Sequence, residues 1–260
     1  MKKHFGWALA SAMLLGGIGS ASAADMAVKA PPRPVIAPIY NWGGFYVGLN
    51  GGGGSSHKCW DLVNLAGFGP VVPSLPEGCH DATGGTIGGQ IGYRWQTSNW
   101  VFGVEGQGNW ANFDGNNLNL QDGIPPFFFR AGLTDRSRID SFGMITGQIG
   151  YAWNNLLGYV KGGAAVVHDR YDTYIAVIGT PIDSASENRW GGVVGVGFEF
   201  GFAPHWSVAF EYDHMFLGSQ DVSAYTPTGV FSATDHIRQD VDIGTVRVNY
   251  HFGGPVVAKY

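Results

Sequence analysis

Six charged side chains occur at alternate positions of apolar, glycine-rich segments, where one face of a strand would be enclosed. Charges enclosed in this way must pair, because an unpaired buried ion costs several kcal/mol. We therefore predict a network of ion pairs, which either closes an interior as a polar plug or lines a narrow, gated ion path. Three members are basic and three are acidic: Arg94, Glu105, Lys161, Glu199, Glu211 and Arg247.

Two cysteines, Cys59 and Cys79, are the next candidate reactive groups. In an exported chain an even number of cysteines favours a disulfide, which would contribute about 3 kcal/mol in the chain-entropy model. A zinc site is the alternative, since His57 and His80 lie close to the thiols, but the Cys-x-x-Cys spacing typical of zinc ligands is absent. We therefore expect a Cys59–Cys79 disulfide and neither a metal ion nor a cofactor.

Three adjacent acid–histidine pairs raise the alternative of catalysis at a rim. Neighbouring residues on a strand point to opposite faces, so neither member can orient or relay a proton for the other. Residues 106–111 loosely match the glycine motif of dinucleotide-binding sites. Because no helix follows them, they predict no dinucleotide site. The sequence therefore predicts no enzymatic activity from these pairs: His168–Asp169, Asp213–His214 and Asp235–His236.

An export signal precedes the elements that would position these residues. Lys2 and Lys3 are followed by an apolar stretch and by Ala21-Ser22-Ala23, which is typical of a cleavage site. Clustered prolines then predict an extended segment without a core. The predicted order is a signal peptide (1–23), a proline-rich periplasmic linker (24–41), a barrel (42–252) and a C-terminal tail (253–260).

The composition is unusual for a soluble globule. Glycine supplies 42 of 260 residues and aromatic residues 14%, while charged residues are 13%, about half of the usual share. After the leader, no run of roughly 18 apolar residues predicts a membrane helix. The formal net charge is −5 and two lysines belong to the leader, so no basic surface remains to neutralise phosphates and no nucleic acid partner is expected.

Apolar residues recur at every second position in eight segments. In the second segment Ile87, Ile91 and Tyr93 share one face, while Gln90 and Arg94 share the other. Most segments are at least as long as the roughly 9–11 residues that cross a bilayer as a tilted strand. The predicted strands cover about 44–50, 83–96, 100–113, 138–153, 156–168, 190–202, 206–216 and 237–252.

The last strand changes its apolar parity between Ile243 and Val246. A β-bulge at Gly244 would explain the change. Alternatively, the upper half of the strand stands above the membrane, where an apolar outer face is not required. Both interpretations remain open from the sequence.

The connections between these strands alternate in length. Short turns at 97–99, 154–155 and 203–205 consist of typical turn formers. Short periplasmic turns and long external loops are the pattern of bacterial outer-membrane barrels. We therefore predict an all-β, eight-stranded antiparallel transmembrane β-barrel of the up-and-down type. Its four long external loops would cover about 51–82, 114–137, 169–189 and 217–236.

Aromatic residues cluster at the edge of the barrel that carries the short turns. Each lies within a few residues of a turn or of a barrel end, as expected for a ring at one headgroup level. An eight-stranded barrel is just wide enough for its side chains to fill, so a wide diffusion pore is not expected. The predicted aromatic girdle consists of Trp42, Trp95, Trp100, Trp153, Phe202, Trp206 and Phe252.

Both ends of the predicted barrel carry distinctive strings. The segment from Ala37 to Gly52 reads APIYNWGGFYVGLNGG, and the segment from Val246 to Tyr260 reads VRVNYHFGGPVVAKY. They resemble the alphaproteobacterial outer-membrane surface-antigen family, a porin-family group of small β-barrels. The resemblance implies an abundant protein of the Gram-negative outer membrane that contributes to envelope integrity. It also implies that Tyr250 and Phe252 form the terminal aromatic signal read by the barrel assembly machinery.

We therefore expect a structural, surface-exposed protein in contact with outer-membrane lipid and lipopolysaccharide. Two alternatives remain: a narrow gated ion channel or porin, and an adhesin or ligand-binding protein. In the second alternative an unidentified surface ligand would bind through the external loops at 51–82, 114–137, 169–189 and 217–236.

Overall fold

The computed structural model describes residues 40–121, 132–175 and 179–252. The predicted signal peptide, most of the predicted linker and the tail after Phe252 lie outside the described residues. No helix in the described part of the chain is long and apolar enough to cross a membrane. The eight strands are β1 (Gly44–Leu65), β2 (Gly69–Thr97), β3 (Trp100–Leu118), β4 (Leu133–Trp153), β5 (Leu156–Ile175), β6 (Thr180–Ala203), β7 (Trp206–Tyr225) and β8 (Phe231–His251).

The strands form one closed antiparallel barrel in which each strand pairs with its neighbours in sequence. Closure is made by β8 and β1, whose register runs from Tyr46 opposite His251 to Leu65 opposite Ala233. A closed ring pairs the backbone groups of every strand on both sides and leaves no edge, as a protein in hydrocarbon requires. The predicted fold class is confirmed.

The strands are longer than the sequence pattern indicated, and this corrects the predicted loop boundaries. The 51–82 region continues β1 and begins β2, and only residues 66–68 join the two strands. Much of 114–137, 169–189 and 217–236 likewise extends the neighbouring strands. Outside lipid neither face has to be apolar. The alternation of apolar and polar residues therefore ends there, while the backbone pairing of the strands continues.

The outward side chains form an apolar belt bounded by aromatic residues at both edges. At the edge with the short turns, six of the seven predicted girdle residues are exposed: Trp95, Trp100, Trp153, Phe202, Trp206 and Phe252. At the opposite edge, Trp110, Trp190 and Phe216 are also exposed on the outer face. The belt between these two edges is the segment expected to face lipid.

Trp42 does not belong to the outer girdle, and this prediction is wrong. Its side chain is fully buried in the barrel mouth, where it packs against Tyr40 at a ring-centroid distance of 4.4 Å. Its indole Nε1 donates a hydrogen bond to the carbonyl of Asn154 at 3.2 Å. Residues 40–43, just before β1, turn into the barrel instead of continuing along its wall, and closeness to a turn in sequence does not reveal that direction.

The change of parity in β8 arises from an apolar section inside the barrel. The pairing of β8 with β1 and β7 continues in register through Gly244, so no bulge is present there. Val241 and Ile243 point inward and are buried. They belong to the interior apolar layer, which consists of Ala82, Phe113, Ile139, Phe142, Met144, Ala165, Val167, Val193, Met215, Leu217, Val241 and Ile243.

We expect an inward glycine to be essential for packing and an outward glycine on the same strand to be replaceable. A β-carbon at Gly197 would lie 2.4 Å from the ring of Tyr159, whereas one at Gly192 would meet its nearest atom only at 4.0 Å. Gly197→Ala should lower the free energy of unfolding by about 1–3 kcal/mol, because the packed ring must move. Gly192→Ala should change it by about 0.5 kcal/mol or less.

Urea unfolding of both variants in detergent micelles, followed by tryptophan fluorescence, measures the difference. Equal midpoints for the two variants would show that the close approach at Gly197 contributes nothing to stability.

Candidate functional site

The barrel interior brings together all six charged residues that the sequence placed there. Arg94 lies 2.8 Å from Glu199, and Lys161 lies 2.7 Å from Glu211. Arg247 on β8 connects β3 with β7, because its guanidinium lies 2.5 Å from Glu105 and also contacts Glu211. We call the predicted six together with Asp213 the lower network.

Asp213 was not among the predicted site residues, although its position on the inward face of β7 could have indicated it. Its carboxylate lies 3.2 Å from the ammonium of Lys161. Two tyrosines add neutral donors: Tyr46 donates to Glu105 at 2.6 Å, and Tyr159 donates to Glu211 at 2.7 Å. The acids of the lower network thus have cationic or phenolic partners, as burial of a charge requires.

A group of amide side chains lies next to the lower network. Gln90 accepts a hydrogen bond from Asn50 at 2.7 Å and donates one to Asn249 at 2.7 Å. Asn109 donates to Asn50 at 2.6 Å and accepts from Gln107 at 3.0 Å. These bonds connect β1, β2, β3 and β8 across the interior and continue the polar packing.

The interior apolar layer separates this polar section from a second one nearer the outer end. In the second section Lys58 lies 2.6 Å from Asp169, and both side chains are fully buried. Gln239 donates to Asp169 at 3.2 Å, and Arg189 donates to the carbonyl of Ile237 at 2.9 Å. The sequence pattern missed this section because its strands continue beyond the predicted boundaries.

Four carboxyl groups, those of Glu77, Asp135, Asp183 and Asp235, are buried at the outer end of the barrel and form the outer acidic group. Asp135 accepts hydrogen bonds from Asn119 at 2.9 Å and from Thr173 at 3.3 Å. Burial, and then the nearby carboxyl of Glu77, raise the pKa of Asp235 and of Asp135 well above the ordinary value. Asp135 and Asp235 therefore favour the protonated form.

Cys59 and Cys79 form the expected disulfide on the outer hairpin of β1 and β2. The two residues are directly opposite each other in the strand register. His57 lies on the same outer face, and its Nε2 is 3.6 Å from the Cys59 sulfur. His80, in contrast, is buried inside the barrel, where its Nε2 lies 3.0 Å from the Ser137 hydroxyl.

In each adjacent acid–histidine pair, the aspartate points into the barrel and the histidine lies on the outer face of the wall. Asp213 is fully buried, while the neighbouring His214 points outward and lies 2.6 Å from Asp242 of β8. His57 and His236 also have an aspartate partner across the strands. Within the described residues, none of these three histidines contacts a serine hydroxyl, so these three histidines relay no proton to a serine nucleophile.

The family model described as "Outer membrane protein beta-barrel domain" matches residues 11–252. The 25 kDa outer-membrane immunogenic protein of Brucella abortus biovar 1 (strain 9-941) is 24% identical over 249 residues, which cover 94% of this chain and 96% of that protein. An uncharacterized protein of Coxiella burnetii (strain RSA 493 / Nine Mile phase I) is 28% identical over 81% of this chain and 83% of its own length. Among solved structures, OprG of Pseudomonas aeruginosa is 12% identical with a TM-score of 0.48, covering 83% of this chain and 100% of that chain.

We expect the loss of a buried arginine to be costly and the loss of an exposed arginine on the same strand to be nearly neutral. Arg247→Met leaves Glu105 and Glu211 without their shared cation, and the free energy of unfolding should fall by about 3–5 kcal/mol. Arg238 is 65% exposed and lies 3.6 Å from Asp61, so Arg238→Met should cost about 1 kcal/mol or less.

Urea titration in micelles measures both losses. Adding Glu105→Gln and Glu211→Gln to Arg247→Met should regain part of the stability, because the unpaired charges are removed. If the triple variant is no more stable than Arg247→Met, lost packing volume and not charge causes the loss.

The raised pKa values of Asp135 and Asp235 should make the outer end of the barrel most stable at acid pH. An acid whose pKa is raised in the folded state contributes stability that is present below its unfolded pKa and is lost as pH rises through the folded pKa. Asp235→Asn should reduce this dependence, whereas Asp240→Asn, at an exposed position on the same strand, should not.

Amide hydrogen exchange in the outer halves of β4 and β8, corrected for the intrinsic rate at each pH, measures this stability. Protection that is independent of pH in the wild-type protein would contradict the expectation.

Proposed function

Because the chain belongs to the outer-membrane β-barrel family, we propose that it is a closed structural barrel and surface antigen that contributes to envelope integrity without catalysis. The protein is located in the outer membrane of a Gram-negative bacterium. The Brucella relative is named an outer-membrane immunogenic protein, which supports a surface-exposed role. The long outer hairpins of the barrel would form the exposed part.

The interior apolar layer is the observation that carries the structural role. It lies between the lower network and the Lys58–Asp169 pair, and its side chains are nearly inaccessible. An ion would have to shed most of its water in this layer, where Ser56 lies between Ala82 and Val241 and few other polar groups are offered, and this is unfavourable. The charges below the layer are paired with one another, so they stabilise the closed form.

Contacts with outer-membrane lipid and lipopolysaccharide are part of the proposal. The exposed apolar belt supports them, because it would otherwise place large hydrophobic side chains in water. Recognition by the barrel assembly machinery through Tyr250 and Phe252 is also proposed. Phe252 is exposed at the end of β8, where its backbone N–H donates to the carbonyl of Phe45 at 2.9 Å.

A second candidate function is the binding of a surface ligand by the outer ends of the hairpins. Phe68 and Val72 are 72% and 89% exposed near the turn between β1 and β2, and Val230 is exposed beside β8. Apolar side chains presented to water in this way are typical of interaction sites when they cluster. Phe68→Ser and Val230→Ser would weaken binding to whole envelope preparations if these ends hold a ligand.

Planar-bilayer recordings separate the structural role from the narrow channel. We expect the wild-type protein to insert without discrete conductance steps, and Glu105→Gln and Arg247→Gln to remain silent. Silence is expected because the apolar layer closes the interior independently of these charges. Reproducible steps in the wild-type protein that change in size in the two variants would contradict the proposal and favour the channel.

A deletion strain tests envelope integrity directly. We expect the strain to become more permeable to a large hydrophobic dye, and wild-type protein to restore the barrier. Gly192→Ala should restore it equally well, because that variant is expected to fold normally. A deletion strain with an unchanged barrier would overturn the structural role.

A further inference from the structure

The outer hairpin of β1 and β2 carries a square of four side chains that no part of the proposed function uses. Cys59 and Cys79 are opposite each other, and His57 is opposite Asp81 one row below. The strand period of two places all four on the outer face of the wall. His57 and Cys79 are exposed and Cys59 is half-buried, so reagents in the surrounding solution can reach the square.

The ligand atoms of this square already lie close together. The two sulfurs and the imidazole nitrogen are all within 4.8 Å of one another. Two thiolates and one imidazole form a donor set suited to zinc and to other metal ions that prefer sulfur. In a tetrahedral zinc site the ligand atoms lie roughly 3–4 Å apart, so small side-chain rotations suffice.

Asp81 orients the histidine for this purpose. Its carboxylate lies 2.7 Å from Nδ1 of His57, while Nε2 faces the Cys59 sulfur at 3.6 Å. A carboxylate on one ring nitrogen fixes the tautomer and leaves the lone pair on the other nitrogen, as in metal sites with a carboxylate–histidine pair.

The wall holds the sulfurs in place when the disulfide opens. Between and beside the square, Lys58 and Trp60 point into the barrel and are buried. Lys58 is tied to Asp169 at 2.6 Å, and β1 keeps its pairing with β8 next to Cys59. The backbone pairing does not depend on the S–S bond, so both thiols should stay on the same face at the same spacing.

We propose that His57, Cys59 and Cys79 form a redox-gated site for a thiophilic metal ion such as Zn²⁺, with Asp81 as the residue that positions His57. A thiol or phosphine reductant supplies two electrons and breaks the S–S bond. Each sulfur takes up one proton, and the reductant is oxidised to its disulfide or phosphine oxide. One metal ion then displaces both thiol protons, binds the two sulfurs and Nε2, and leaves a fourth position for water.

Metal titration of the full chain in micelles tests this site. After anaerobic reduction with a phosphine and removal of excess reagent, Zn²⁺ is titrated against a chromophoric chelator, and Co²⁺ is used to reveal thiolate-to-metal charge transfer. We expect one ion per reduced chain and none at the same concentration on the oxidised chain. His57→Ala should weaken Zn²⁺ binding at least tenfold. Asp81→Asn should weaken it by up to about 100-fold.

His168→Ala is the matched control, because His168 is a half-buried histidine on β5, outside the square. It should bind Zn²⁺ as the wild-type protein does. Equal binding by the oxidised chain, equal binding by His57→Ala, or a Co²⁺ complex without charge-transfer absorption would each overturn the site. Loss of amide protection in the β1–β2 hairpin on reduction would overturn it as well, since the paired strands are its scaffold.

Discussion

The structure depends on the pairing of backbone N–H and C=O groups in a solvent that offers them no partner. In hydrocarbon each unpaired group costs several kcal/mol, and a closed ring of antiparallel strands satisfies them without an edge. Closure between β1 and β8 is therefore the central feature of the fold. It also fixes which side chains meet lipid and which meet one another, because alternate residues leave the wall in opposite directions.

The small diameter of an eight-stranded barrel then decides what the interior can contain. Its side chains fill the space, so buried charges contact counter-charges directly. Arg247 illustrates this, since its guanidinium contacts acids from both β3 and β7. Glycines such as Gly197 on β6 make room for large side chains opposite. The apolar layer above this network adds a section in which an ion would find few polar ligands.

Beyond the outer edge of the belt, water replaces lipid and the constraint on side chains relaxes while the barrel wall continues. Residues there can be polar on either face, and the wall carries the Lys58–Asp169 pair and the outer acidic group inside. On the outside it carries the Cys59–Cys79 disulfide. These features share one scaffold, because paired strands hold side chains at fixed spacing whatever their chemistry.

The sequence by itself determined the strand number, the antiparallel order and the position of the lipid-facing belt, because lipid imposes a strict alternation over each membrane segment. The family resemblance came from the strings at the two ends of the barrel. The sequence also placed Arg94, Glu105, Lys161, Glu199, Glu211 and Arg247 on inward faces. The full strand lengths, the inward turn of Trp42, the inward Ile243 and the choice of His57 rather than His80 beside Cys59 and Cys79 came only from the tertiary structure. Outside lipid no alternation marks a strand, and partners such as Arg247 and Glu105, 142 residues apart, meet only once the ring closes.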